Sequence, residues 1–465
     1  MYHCKPFPIG CSFVDDRTKY LLTARPLPLL ARLSAPNSIA FFIQASVSMT
    51  EVWFVGQLGS SSLAAMALVF PLLMLTQTLS AGAMGGAVAS AIARALGAGD
   101  QRRAEQLIWH ALALAVIGAL LLFTLFRAFG EPFLRFLGGN SGTLTEALRY
   151  CLVLFSGGVF LWFMGVVSAI YRGMGDMKFP ALVMAASALV QVPLSAALVL
   201  GAFGAPQLGI VGAAVSAVVT AFLLSGIMLL RLMIGNTAIK IRRSHFGFEY
   251  RHFREILNVA LPASLSPILT VTSILCLTAI VGRFGEEALA GYGIGSRIEF
   301  LLIPLVFGIG ASMTSLVGMS VGAGDLKRAE HIGWVGGMGS ALLAGIIGIS
   351  LALFPDFWIP LFSQDPIVQG AAKQYIQIVG PCFAFQGLGL SLYFASQGAG
   401  AMFWPVVSLV LRLIVAVGGA LLLINTTDWG LAGVFYAAAF GMAIYGIIMV
   451  SALKLGAFRR GQSAS

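Results

Sequence analysis

Four ionisable side chains lie deep inside apolar stretches of this 465-residue chain: Glu51, Arg297, Glu299 and Arg412. A charged group at the centre of a membrane helix costs roughly 2.5–3.5 kcal/mol. Such groups are functional candidates by default. Glu51 stands in "MTEVWFVGQLG". A lone carboxylate can hold a proton or another cation, but not both, so it can couple one flux to the other. Glu299 is the other deep acid and the second coupling candidate. Arg297 is two residues away and cannot share its helix face. Arg297 and Arg412 are expected to pin a structural polar network, with Arg412 a partner for Glu299. Five Cys and five His form no ligand or nucleophile constellation, and no phosphate loop or H-E-x-x-H occurs. The reading is therefore no enzyme, no metal and no cofactor beyond H⁺ or Na⁺ as coupling ion.

What must position these residues is set by composition. The chain is 58% hydrophobic and only 10% charged. Soluble chains carry roughly 25% charge, so an all-α integral membrane protein is expected. Spans of about 20 apolar residues are read at 33–56, 63–92, 107–127, 146–171, 179–201 and 208–234, then 255–282, 288–318, 331–354, 371–397, 403–424 and 430–455. Of the 28 Lys and Arg, 21 fall in segments on the side of the N-terminus and five on the other. The positive-inside rule then puts both termini in the cytoplasm of a multi-pass protein of the cell inner (plasma) membrane. The net charge of +10 is read as this bias, with no nucleic-acid partner. Residues 1–27 are expected to be a cytoplasmic tail, 28–234 and 255–455 two six-helix bundles, 235–254 a basic linker and 456–465 a second tail.

The chain repeats itself. "GAGDQRRAEQLIW" from Gly97 and "GAGDLKRAEHIGW" from Gly322 share eight of thirteen residues at an offset of 225. Pro36 and Pro262, and "GQLG" at 56 and "GRFG" at 282, match at offset 226, whereas Tyr150 and Tyr375 match at 225. Six spans per copy is an even number, so the bundles insert in the same direction and relate by a pseudo-twofold axis along the membrane normal. Each GAGD motif is expected to be a cytoplasmic turn, with glycines allowing a tight exit. Asp100 and Asp325 would cap the following helices, and Arg103 and Arg328 would lie in their first turns.

"GAGDQRRAE", "GAGDLKRAE", the "LPASL" opening of span 7 and "GYGIGSRIEFLLIPLVFGIGASMTSLVG" together resemble the multidrug and toxic compound extrusion (MATE) family. The resemblance runs from about residue 28 to 455. It implies two bundles around a central cleft, alternating access, and export of mostly cationic organic compounds against inward H⁺ or Na⁺. It makes Glu51, five residues before Gly56, the family's coupling acid, and Pro36 the bending proline of the same span. Trp53, Phe54, Met74, Gln77, Phe163, Gln191 and Tyr292 are the expected cleft lining. Two family acids are missing: Thr270 stands at one position in span 7, and Val192 precedes Pro193 in span 5. That places the chain nearer the DinF-like than the NorM-like branch and leans toward H⁺. The partners implied are small organic cations and the bilayer, for a monomer. The alternative is a lipid or lipid-linked oligosaccharide flippase of the same plan.

Overall fold

The computed structural model describes residues 16–139, 141–235, 239 and 247–460. Half of the expected linker, and residues 1–15 and 461–465 of the tails, lie outside them. The first described element falls in the expected tail: α1, Asp16–Thr23, is helical and buries Leu21 and Leu22. Arg25 then leads into α2, Pro26–Gly56, with proline at its first turn, where a missing N–H costs nothing. The segment is thus a docked helix rather than a free tail, because its two leucines reach the protein's main core.

The remaining first-lobe spans are α3 (Ser60–Gly97), α4 (Gln101–Phe136), the pair α5 (Ser141–Ser156) and α6 (Gly158–Gly173), α7 (Lys178–Leu200) and α8 (Ile210–Ile234). The second lobe holds α9 (Tyr250–Val281), α10 (Glu286–Gly322), α11 (Leu326–Leu353), α12 (Pro366–Ala399), α13 (Phe403–Thr426) and α14 (Leu431–Lys454). Eleven of these are long and apolar enough to cross a bilayer, and α5 and α6, bent by 54°, supply a twelfth. The break is at Gly157, where a Cβ would strike the side chain of Val218.

The two offsets in the repeat have a structural cause. α3 has 38 residues and α10 has 37. The extra residue is taken up by a π-turn over Thr78–Met84, since an i→i+5 turn holds one residue more than an α-turn. Upstream of it the copies match at 226, downstream at 225.

Buried apolar residues form one shared core and two separate ones. The shared core takes residues from both lobes at the end that carries the GAGD turns, including Ile92, Leu107, Tyr171, Val259, Val317 and Tyr393. At the far end the first lobe has its own core around Val55, Val69 and Tyr150. The second lobe has another around Tyr292, Tyr375 and Phe435. The lobes are therefore fused at the GAGD end and packed independently at the other.

Candidate functional site

The GAGD end is closed by a set of contacts that the repeat duplicates. A Cβ on Gly97 would collide with the backbone carbonyl of Met319, and one on Gly322 with that of Arg94. Shifted by 225, the first contact becomes the second. The same holds for two hydrogen bonds across the lobes. Ser90 Oγ donates to the carbonyl of Gln397 at 2.6 Å, and Ser315 Oγ to that of Arg172 at 2.6 Å. Gly97 and Gly322 thus serve helix-to-helix approach, which corrects their reading as turn glycines. The left-handed turn positions are Gly99 and Gly324, each at φ 76°. Asp100 and Asp325 cap their helices, accepting from the backbone N–H of Arg103 at 2.9 Å and of Arg328 at 3.0 Å.

Around this matched centre the two sides differ. On one, Glu255 of α9 accepts from Arg103 at 2.7 Å and from Arg94 at 3.4 Å. Arg94 also donates to Ser90 Oγ. On the other, Arg328 donates to the carbonyls of Leu21 and Ala24, at 3.0 and 2.6 Å, and so holds α1 in place. The Gln397 amide donates to Gly82 and Ala83 carbonyls at 3.2 and 3.3 Å. Both lie in the π-turn, whose wider coil leaves carbonyls without helical partners. Sequence reasoning missed Ser90, Ser315 and Glu255. The serines were findable, because they match at the offset of the GAGD motif.

Glu51 faces into its own lobe. Ser38 on α2 abuts the second lobe, donating to the Leu305 carbonyl at 3.3 Å. Thirteen residues further on, Glu51 is turned about 140° away. It is 8% exposed. Its Oε1 accepts from Gln191 Nε2 of α7 at 2.9 Å and lies 3.5 Å from Ser216 Oγ of α8. Among the described residues no basic side chain pairs with it. Pro36 lies inside the same helix, where its missing N–H weakens the coil.

The second lobe treats its acid differently. Glu299 Oε1 lies 3.7 Å from Arg412 Nη2, and Oε2 accepts from the Tyr375 hydroxyl at 3.0 Å. Tyr292 stacks edge-on against Tyr375 with centroids 5.5 Å apart. Glu299 is thereby charge-compensated, unlike Glu51. Arg297 is not part of this network: it is exposed, because two residues turn a helix by about 200°.

The expected cleft lining is corrected in part. Phe54 packs in the first lobe's separate core and Tyr292 in the second lobe's. Gln191 serves Glu51 instead. Met74 and Phe163 are half-buried, and Gln77 is exposed. Trp53 is 63% exposed, four residues past Met49 on the same side of α2. What the sequence could not supply was helical phase, which Pro36 alters in α2 and the π-turn in α3.

Two six-helix lobes, fused at one end and separate at the other, with a buried acid held by neutral donors in one of them, define a two-lobed membrane transporter. The chain belongs to the MatE family, whose model matches residues 36–197 and 262–422. A Thermotoga maritima protein named probable multidrug resistance protein NorM is 27% identical over 435 residues, 93% of this chain and 92% of its own length. The FAD transporter of Shewanella oneidensis is 28% identical over 398 residues, covering 84% of this chain and 86% of that one. Among solved structures, a MOP-superfamily transporter from Pyrococcus furiosus, described by the reverse polarity of its binding pocket, aligns with a TM-score of 0.86. It is 25% identical and covers 94% of this chain and 98% of that one. Relatives named NorM give no support to the expected DinF-like branch.

Proposed function

We propose that the protein is a multidrug efflux carrier that exports organic compounds in exchange for inward protons. The observation that carries this is the setting of Glu51: buried, held by an amide and a hydroxyl, with no cation opposite it among the described residues. Neutral donors steady a carboxylate without compensating its charge. Such a group is stable either protonated or beside a bound cation. Glu299, beside Arg412, has its charge answered already and takes a structural role.

The mechanism follows from where Glu51 sits. α2 carries Glu51 toward its first lobe and Ser38 toward the second. A change of charge at Glu51 alters its hold on α7 and α8. Pro36 gives α2 a point at which to bend, so the change reaches the inter-lobe contact. The 21-to-five distribution of Lys and Arg supports assigning the GAGD end to the cytoplasm. The fused end then faces inward and the separated end outward, the state in which cargo is released and a proton enters. Placement in the cell inner membrane and action as a monomer belong to the same proposal. The relatives named for multidrug resistance support efflux. The relative named FAD transporter leaves substrate charge open.

The test is transport in proteoliposomes with imposed H⁺ or Na⁺ gradients. Glu51→Gln should abolish gradient-driven ethidium transport while the protein stays folded. Undiminished transport by this variant would remove Glu51 from the mechanism. A Na⁺ gradient that drives transport where a H⁺ gradient does not would reassign the ion.

A further inference from the structure

We infer that Arg297 is a substrate-binding residue on the second lobe's wall of the inter-lobe cleft, selecting amphipathic organic compounds that carry an anionic group. The inference rests on the carrier reading above and names a substrate class for it.

One face of α10 meets the first lobe over the second half of the span. Its residues Gly308, Ser315, Gly318 and Gly322 recur at helical spacing and all meet the first lobe. A Cβ on Gly308 would strike Ser38. Ser315 donates to the Arg172 carbonyl. A Cβ on Gly318 would lie 3.0 Å from Ala93, and one on Gly322 would collide with the Arg94 carbonyl. Arg297 precedes Gly308 by eleven residues, about three turns, so regular helix phase sets it within about 20° of the same face, with Pro304 between the two. The opposite side of α10, with Gly291 and Gly295, packs on Ala371 and Tyr375 of its own lobe. Arg297, exposed and on the side of α10 away from its own lobe, therefore stands roughly 16 Å beyond the Gly308 contact toward the far end.

The opposing wall matches it in height. Met49 of α2 stands eleven residues beyond Ser38, again within about 20° of the contact face, and is 77% exposed. α2 and α10 run antiparallel, so Met49 and Arg297 stand at equal distance from the Ser38–Gly308 contact. The contact is closed and the two residues above it are open, so the walls diverge here.

Among the described residues Arg297 has no ion pair or hydrogen-bond partner. A bare guanidinium at this depth needs water or a counter-ion. The two deep acids do not supply one. Glu51 turns into the first lobe, and Glu299 is engaged by Arg412 and Tyr375. Glu286 and Glu287 sit at the start of α10, about three turns further out. A planar guanidinium fork suits carboxylate, sulfonate or phosphate. Met49 offers a compliant apolar surface for the rest of the molecule.

The test uses the full chain in phosphatidylcholine vesicles, with carboxyfluorescein and ethidium as probes in counterflow, which needs no ion gradient. Wild type should carry both. Arg297→Gln should slow carboxyfluorescein at least tenfold and leave ethidium within twofold, whereas Arg297→Lys should retain most of the anion flux. The inference is overturned if wild type carries ethidium alone, or if Arg297→Gln changes both probes equally or neither. Loss of carboxyfluorescein flux on adding phosphatidylglycerol, in wild type only, would give the residue to lipid phosphate and overturn it too. Glu51→Gln under a gradient is read separately, so failure of the coupling reading and failure of this one are distinguishable.

Discussion

The matched contact at the GAGD end makes a quantitative prediction. In Gly97→Ala the new methyl meets the carbonyl of Met319, which is helix backbone and cannot swing aside. Ordinary Cβ-to-oxygen contact requires the two helices to part by about 1 Å. The Ser90–Gln397 and Ser315–Arg172 bonds, both 2.6 Å, then stretch past about 3.5 Å and are lost. At about 1 kcal/mol each, the closed end loses about 2 kcal/mol, or about 30-fold in the equilibrium between the two access states. Gly322→Ala should do the same, because its methyl meets the Arg94 carbonyl by the same geometry. Gly324→Ala is the control. Its φ of 76° is strained for alanine, yet a Cβ there meets nothing within 4 Å. It should lower stability by about 1 kcal/mol without opening the lobes. Spin labels at Arg102→Cys and Lys327→Cys, both exposed, would report the separation by pulsed electron resonance in a background without native cysteines. A short-distance population unchanged in both alanine variants, or changed in only one, would refute the duplicated latch.

Three further outcomes are expected. Glu255→Gln should weaken closure on the side of Arg94 and Arg103 by about tenfold and reduce its salt dependence, read from the same spin-label pair. Arg412→Met should lower thermal stability by about 3–5 kcal/mol, because Glu299 is left buried and uncompensated, and Glu299→Leu on that background should restore most of it. Deleting Gly82 should leave a folded protein, because the π-turn relaxes to α without rotating its flanks. Deleting Ala93 should not, since it turns the Gly97 contact by about 100°; circular dichroism and gel filtration distinguish them.

Twelve spans, the two-lobed plan and the capped turns were legible because they rest on composition, periodicity and cap chemistry, which are local. The Glu51 surroundings were half legible. The acid stood out in an apolar run, and Gln191 was singled out, but as cleft lining rather than as Glu51's partner. Ser216 was invisible, since a serine in a membrane helix carries no pattern of its own. Phe54 and Tyr292 were misplaced for a physical reason. An aromatic near a buried acid fits a cleft or a lobe core equally well by type, and only the phase of a bent helix separates the two.

The departures from the repeat carry more than the repeat does. Where both copies agree — Ser90 with Ser315, Gly97 with Gly322, Asp100 with Asp325 — the residues close the shared end and cap its turns, tasks that a pseudo-twofold axis lets each lobe perform identically. The charges inside the spans have no such counterparts. By the offsets that hold at each position, Glu51 answers to Leu277, Arg297 to Pro71, Glu299 to Leu73 and Arg412 to Ser187. A charge in a membrane helix is costly in either copy, so its presence in one alone reflects a task for one lobe alone. The first lobe keeps a single acid with neutral donors, suited to exchanging a proton. The second keeps a compensated pair and, at Arg297, an exposed guanidinium with no partner among the described residues. Moving the acid across, as Glu51→Leu with Leu277→Glu, tests this division. Leu277 is buried in the second lobe's separate core, and Gln191 and Ser216 have Ala416 and Ala437 as counterparts, at offsets of 225 and 221. The transplanted acid would lack both donors, so gradient-driven transport should not return. Recovery of transport would mean that any buried acid in either lobe suffices.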